Sequence, residues 1–386
     1  MSHKTNALAA LAAASLPLLA QAEARPEEKV MAYRYSHYSE SDNPRARTFT
    51  PETRRYDINV HQFRHARPLG EDWYLDGELQ YETLSGASPL QTYQQDGKSV
   101  LVTSGATIDE QRLDIKASPR RYFSQGTLAG NAALSLENDY QSLALGGDGT
   151  LELFDKHTTL MAAISASYDT LSPSDQDQYP ARQAFDRKNK RSVSVYQGVS
   201  QILDKNRVMQ LGVGLTHLSG YLSDPYKTYD QRPGERDQFT INFQYRHFLN
   251  VGDGAALHAD YRFYADDWGI WSHTVSGRWA QQIRQDNGVG WQLIPQLRYY
   301  RQSEADFYTL ERYPGGEFYS SDARLSNYGA ITLGLEGRVR WNNWIVSLDG
   351  QYYFADETLS LVQRSADETP SLLSYTLLSL GVEYRY

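Results

Sequence analysis

The last stretch of the chain, residues 371–386, constrains the fold more than any other. One set of alternate positions is mostly apolar or aromatic, namely Thr376, Leu378, Leu380, Val382, Tyr384 and Tyr386. The opposite set carries Ser379, Glu383 and Arg385, with Gly381 between them. Successive side chains of a strand point to opposite faces, so this pattern predicts a strand with one apolar face and one polar face. Such a strand suits a membrane β-barrel wall. An amphipathic edge strand of a soluble β protein is the alternative.

The same stretch resembles the carboxy-terminal assembly signal of bacterial outer-membrane barrels. That signal has a polar residue, a glycine two positions later, and aromatic residues five and seven positions later. Ser379, Gly381, Tyr384 and Tyr386 match it position for position. The resemblance implies that the barrel-assembly machinery inserts the chain into the outer-membrane bilayer.

Composition narrows the classes of function. The chain has 386 residues, a formal net charge of -9 and no cysteine. Without cysteine, the sequence excludes disulfide scaffolds, thiol catalysis and thiolate metal sites. The mild acidic excess argues against nucleic acid as a partner, because nucleic-acid binding draws on clustered positive charge.

The first residues have the features of a secretory signal peptide. His3 and Lys4 precede an Ala- and Leu-rich segment, and Ala20-Gln21-Ala22 provides a small-x-small cleavage site. The apolar segment is too short to span a membrane as a helix. We therefore expect a signal peptide over residues 1–22, a single barrel domain over residues 23–386, and location in the cell outer membrane.

Alternation of this kind recurs along the whole chain. It predicts an all-β fold, a transmembrane antiparallel up-and-down barrel of about sixteen strands, with fourteen or eighteen also possible. If the first strand runs outward, the long loops all follow odd-numbered strands and the short turns follow even-numbered strands. This is the loop asymmetry of outer-membrane barrels.

Several motifs together resemble an uncharacterised proteobacterial family of outer-membrane proteins, one of the domains of unknown function. They are the stretches at residues 85–89, 135–140, 220–227, 261–268 and 297–300. The resemblance covers nearly all of the mature chain. It implies an exported β-barrel with no assigned substrate, so it adds fold and location but no chemistry.

The charges predicted to face the barrel lumen are unevenly distributed. Basic residues occupy the second half: Arg246, Arg262, Arg278, Arg298, Arg338 and Arg340. Acidic residues occupy the third and fourth strands: Asp76, Glu78, Glu82 and Asp114. In a barrel of about sixteen strands these two walls would face each other and could orient a permeating solute. The alternative is local pairing, such as Glu336 with Arg338.

Two loops carry motifs that we expect to lie at the barrel rim, where binding residues often concentrate. The first contains Ser85, Gly86 and Pro89, and the second contains Tyr221, Asp224, Pro225 and Tyr226. These loops could bind a partner protein in the periplasm or at the surface, or fold inward as a constriction.

Metal and catalytic sites are less well supported. His61 and His65 are too far apart along a strand to share an ion, and Asp266, Asp267 and His273 offer only a rim calcium site. No metal or cofactor is expected. On another strand, His217 and Ser219 share one face, as a hydrolase base and nucleophile would, without an identifiable third group.

These features predict a non-enzymatic barrel. The leading hypothesis is a passive, porin-like channel or transport component whose arginine wall faces carboxylates. The alternative is a closed structural or docking barrel for an envelope or surface complex, with loops 84–110 and 220–237 making the contacts. A lipid-modifying hydrolase is the third hypothesis.

Overall fold

The computed structural model describes residues 25–104, 108–174, 176–177, 180–286, 288–360 and 371–386. These residues form eighteen strands: β1 (Val30–Glu40), β2 (Asp57–Leu69), β3 (Trp73–Gly86), β4 (Pro89–Gln95), β5 (Lys98–Thr103), β6 (Ile108–Phe123), β7 (Gly126–Glu137), β8 (Tyr140–Leu153), β9 (Thr158–Leu171), β10 (Lys188–Asp204), β11 (Arg207–Gly220), β12 (Glu235–Leu249), β13 (Ala255–Asp266), β14 (Trp271–Asp286), β15 (Val289–Gln302), β16 (Tyr328–Trp341), β17 (Trp344–Asp356) and β18 (Ser374–Arg385). Short 3-10 helices lie at Arg45–Arg47, Pro180–Phe185, Ala323–Leu325 and Glu357–Ser360. No helix in these ranges is long and apolar enough to cross a membrane.

Sixteen of the strands close into one antiparallel barrel, and β4 and β5 form a separate hairpin. Each barrel strand pairs with its neighbours along the chain, except that β3 pairs with β6 across the hairpin. The barrel closes where β1 pairs with β18, from Val30 opposite Arg385 to Glu40 opposite Tyr375. The predicted all-β barrel and its strand number are confirmed.

The two faces of the last strand have different surroundings. Leu378 and Leu380 point outward and are 52% and 48% exposed, whereas Ser379 points inward and is 7% exposed. The hydroxyl of Ser379 lies 2.8 Å from that of Ser36 on β1 and thus joins the first and last strands. Large exposed apolar side chains continue around the outer surface, including Leu145, Ile164, Leu215, Val275, Leu297 and Leu333. An apolar outer surface around a polar interior is the arrangement of outer-membrane barrels.

The residues that match the assembly signal occupy both faces of β18. A Cβ at Gly381 would lie 2.7 Å from Oγ of Ser347, so the glycine makes room for this hydroxyl on the adjacent strand. Tyr384 contacts the ring of Trp344 at 4.6 Å between centroids and that of Tyr386 at 5.4 Å. These rings form an aromatic cluster at the short-turn end of the barrel, as in the girdles of membrane barrels.

The two ends of the barrel differ in loop length. All the long connections follow odd-numbered barrel strands, and the connections after even-numbered strands, such as residues 70–72, are short. Two connections after odd-numbered strands, residues 138–139 and 267–270, are short as well, so the predicted asymmetry holds for the long loops but not for every short turn. The predicted signal peptide lies outside the described residues.

Candidate functional site: lumen and loop cap

Every carboxylate of the predicted acidic wall lies in a salt bridge. Asp76 lies 2.6 Å from Arg64, and Glu78 lies 3.4 Å from Lys116. A third base, Arg112, lies 2.9 Å from Asp114, 3.8 Å from Glu82 and 3.6 Å from Glu137. We call these residues the paired wall. The carboxylates were predicted on the lumen face without these basic partners, and the salt bridges show that the wall is not a bare acidic surface.

Two arginines of the predicted basic wall are also paired locally. Nη1 of Arg246 lies 2.6 Å from Oδ1 of Asp260, and Nη2 of Arg338 lies 2.8 Å from Oε1 of Glu336. The local pairing left open by the sequence is therefore present at these two positions. Their charges are largely cancelled.

Three other lumen arginines, Arg262, Arg278 and Arg298, have no carboxylate within salt-bridge distance among the described residues. They lie on the neighbouring strands β13, β14 and β15. Nη2 of Arg278 lies 3.4 Å from Nδ1 of His258, and the guanidinium of Arg298 lies 5.5 Å from the ring centre of Tyr300. We call the three the arginine cluster. Arg340, nearer the short-turn end, likewise has no carboxylate partner in the described ranges.

A cavity of 260 Å³ lies against the arginine cluster. Arg278 and Arg298 line it together with Asp260, whose charge Arg246 offsets. Its neutral polar lining comprises Ser276, Gln296, Thr332 and Gln351, and Tyr375 adds an aromatic ring. The cavity thus combines net positive charge with uncharged hydrogen-bonding groups. The neutral groups were not singled out from the sequence, because the polar alternation does not show which residues of different strands share a cavity.

The β4–β5 hairpin lies over the long-loop end of the barrel and contacts several other loops. Leu310 accepts a backbone hydrogen bond from Gln94 at 2.7 Å, and Leu90 accepts one from Thr228 at 3.0 Å. The hairpin side chain of Leu101 is fully buried. We call the hairpin and the segments that contact it, residues 41–56, 221–234, 303–327 and 371–373, the loop cap. It connects loops from different sides of the barrel opening.

Both predicted rim motifs belong to this cap. At the end of β3, which includes Ser85, Gly86 has a φ of +135°, and a Cβ there would lie 2.2 Å from the carbonyl oxygen of Arg55. The position therefore requires glycine. Pro89 begins β4, and its carbonyl accepts a hydrogen bond from Nζ of Lys227 at 3.1 Å.

The second rim motif is largely buried. Tyr226 is 7% exposed, and its hydroxyl donates to Asp139 in the turn between β7 and β8. Asp224 accepts a hydrogen bond from the Tyr226 amide at 3.0 Å. The ring of Tyr221 lies 5.6 Å from the ring of Phe185 between centroids. Pro225 stands in the sequence between the buried residues Asp224 and Tyr226. These side chains hold loops together, so they are not freely presented to a partner.

A buried charge network joins two loops of the cap. Arg232 lies 2.8 Å from Asp230 and 2.9 Å from Asp322, and Nε of Arg324 donates to Asp322 at 3.0 Å. Asp224 lies 3.9 Å from Arg324. Burial by itself would raise the pKa of Asp322, but Arg324, Lys227 and Arg232 outweigh it and hold that pKa well below its ordinary value.

The metal candidates from the sequence do not assemble. Nδ1 of His61 contacts the Tyr33 hydroxyl at 2.8 Å, and Nδ1 of His273 contacts the Tyr261 hydroxyl at 2.7 Å. Asp266 instead lies 2.5 Å from Arg236. His65 lies opposite Met31 on β1, and Asp267 accepts a backbone hydrogen bond from Asp237.

Three other carboxylates, Glu110, Glu137 and Asp139, are buried with oxygens within 4.8 Å of one another. Sequence spacing did not reveal this group, because two strands and a turn bring it together. Arg112 and the Tyr226 hydroxyl provide positive charge and a hydrogen bond at its edge.

His217 and Ser219 point outward near the long-loop end. Nδ1 of His217 lies 2.7 Å from Oδ1 of Asp237 on β12, which supplies the orienting carboxylate that the sequence did not identify. The Ser219 hydroxyl makes no hydrogen bond to His217 within the described chain. The arrangement therefore contains an oriented base but no engaged nucleophile, which nucleophilic hydrolysis requires.

The sequence profile of a family described as a protein of unknown function (DUF3570) matches residues 8–363. No curated protein sequence matches the chain. Among similar solved structures, a bacterial polysaccharide outer membrane secretin is 10% identical with a TM-score of 0.49, over 92% of this chain and 98% of that one. A BenF-like porin from Pseudomonas fluorescens Pf-5 is 8% identical with a TM-score of 0.44, over 93% and 98%. OccD3 from Pseudomonas aeruginosa is 10% identical with a TM-score of 0.41, over 93% and 91%. The description of the family names no activity.

Proposed function

The chain belongs to the family described as a protein of unknown function (DUF3570), and we propose that its barrel is a passive, porin-like passage for small anions. We propose that residues 1–22 are removed and that the barrel-assembly machinery inserts the barrel into the outer membrane. Passage of a solute through the lumen requires no chemical step. The docking alternative is less well supported, because loops 84–110 and 220–237 contact each other in the cap.

The charge balance of the lumen supports this proposal. The carboxylates of the paired wall and the arginines at 246 and 338 lie in salt bridges. The arginine cluster is left with uncompensated positive charge beside the cavity. Fixed charges lining a pore set its preference for ions of opposite sign. A solute carrying negative charge would therefore be favoured there.

The loop cap would restrict this passage. Its buried hairpin and charge network hold loops over one end of the barrel. We propose that the cap sets the size limit for solutes, while the arginine cluster sets the charge preference. Only the charge preference depends on the three arginines, so the two roles can be tested separately.

The proposal is tested by replacing the arginine cluster with glutamine in one variant, Arg262→Gln, Arg278→Gln and Arg298→Gln. We expect its reversal potential in a KCl gradient to shift toward cation preference relative to the parent. The matched control is the double variant Glu336→Gln and Arg338→Gln, which removes a salt bridge without changing net charge. Equal selectivity in all three folded proteins would overturn the assignment.

A further inference from the structure

The lining of the lumen cavity is more specific than a simple anion site requires. Two arginines, Arg278 and Arg298, lie beside four neutral polar side chains. Its single carboxylate, Asp260, lies 2.6 Å from Arg246. A site for a bare inorganic anion would need only the positive charge. The neutral groups indicate a ligand that carries hydroxyl groups as well as a negative charge.

The side chain of Gln296 occupies space that a glycine on the adjacent strand leaves open. A Cβ at Gly334 would lie 2.2 Å from Nε2 of Gln296, so glycine on the adjacent strand accommodates this amide. The Gln296 side chain makes no hydrogen bond to any other described residue. An amide can donate and accept at once, as recognition of a hydroxyl group requires.

The other neutral groups are held by their surroundings. Nε2 of Gln351 donates to Asp349 at 2.8 Å, which fixes the orientation of its amide. Thr332 is 6% exposed. The ring of Tyr375 stacks on that of Tyr353 at 4.7 Å between centroids and 12° between planes. Tyr38 also packs against the Tyr375 ring at 4.7 Å between centroids. An orientated amide, a hydroxyl and a rigidly held aromatic ring thus line one cavity.

We infer that this cavity binds a hydroxylated carboxylate of monosaccharide size, such as a hexuronate. Arginine forks match carboxylate oxygens, so Arg278 and Arg298 would hold the negative group. Gln296, Gln351 and Thr332 would contact the hydroxyl groups, and Tyr375 would provide an apolar contact for the sugar ring. The volume of 260 Å³ lies below the roughly 300–1,000 Å³ of pockets for drug-sized ligands. This inference rests on the proposed anion passage and names its solute class.

Equilibrium binding to the refolded full-length protein in detergent tests this inference without requiring conduction. Calorimetry with galacturonate, acetate and glucose should show galacturonate binding at least about tenfold more tightly than either, since it alone uses both kinds of group. Equal binding of galacturonate and acetate would overturn the inference and leave the anion passage standing. No binding of galacturonate would also overturn it.

Two variants separate the contributions. Gln296→Leu should weaken galacturonate binding by about tenfold while acetate binding stays unchanged, because only hydroxyl contacts are lost. Arg278→Gln with Arg298→Gln should abolish the preference of galacturonate over glucose. The control is the double variant Arg64→Gln and Asp76→Asn in the paired wall, away from the cavity, which should bind galacturonate as the parent does. If Gln296→Leu weakened acetate equally, Gln296 would not recognise hydroxyl groups.

Discussion

The paired wall and the arginine cluster line the same lumen but have opposite electrostatic character. On β2 and β6, the basic residues Arg64, Arg112 and Lys116 each lie within 4.0 Å of a carboxylate. On β13 to β15, the three clustered arginines lie beside a histidine, a tyrosine and neutral polar groups. The charges of the paired wall are neutralised by salt bridges within the protein. The arginine cluster has no such partners among the described residues, so its charge is available to a solute.

The number of charged residues on a wall therefore does not determine its electrostatic field. Sequence alone gives the paired wall a strongly acidic appearance, yet its net charge is reduced by bases from the same and adjacent strands. Replacing a residue in the two regions should therefore have different consequences. Substitutions in the paired wall should affect stability, and those in the arginine cluster should affect solute preference.

The largest effect on stability is expected at Arg112. Its side chain is 8% exposed and faces Asp114, Glu82 and Glu137. Arg112→Gln should lower the free energy of unfolding by about 3–5 kcal/mol, because it leaves buried carboxylates without their counter-charge. Denaturant unfolding in lipid vesicles, followed by tryptophan fluorescence, measures this loss. A loss no larger than that of Arg298→Gln would remove the distinction between the walls.

A smaller effect is expected in the cap, whose buried network resembles the paired wall. Because the folded pKa of Asp322 is depressed, its ion pairs stabilise the cap above the ordinary carboxyl pKa, and this stabilisation is lost as the pH falls. Amide exchange near residues 320–325, corrected for intrinsic rates, should be constant from pH 7 to about 5 and rise below about 4. Asp322→Asn should raise exchange already at pH 7. Exchange rates that changed neither at low pH nor in Asp322→Asn would contradict a stabilising role for the network.

The partly exposed pair of Arg64 and Asp76 should contribute less. Their side chains are 41% and 29% exposed, so water screens the attraction. The double variant Arg64→Gln and Asp76→Asn should lower the free energy of unfolding by only about 0–1 kcal/mol, as measured by the same denaturant assay. A loss as large as that at Arg112 would show that burial does not separate these two pairs.

The smallest change in stability is expected at Arg298, which has no carboxylate partner among the described residues. Arg298→Gln should change the free energy of unfolding by no more than about 0.5 kcal/mol, since no counter-charge is left behind. The ion selectivity of the Arg298→Gln variant should nevertheless shift toward cations. Strong destabilisation without a change in selectivity would mean that this arginine is structural.

The barrel was predictable from sequence because strand alternation and loop length are local signals. The β4–β5 hairpin was missed, although Asp96-Gly97 is a strong hairpin-turn signal and both residues have positive φ. Charge pairing was harder to predict, because it depends on register between strands. Arg112, for example, lies directly opposite Glu82 on β3 and Glu137 on β7. The cap depends on loops far apart in sequence, for which alternation provides no signal.

The reversal potential of the unmodified protein in a planar bilayer under a KCl gradient directly measures whether the lumen prefers anions. An uncompensated arginine cluster predicts a greater permeability to chloride than to potassium. The preference should weaken at high salt, because ions screen the fixed charge. A channel that prefers potassium at low salt would contradict the account.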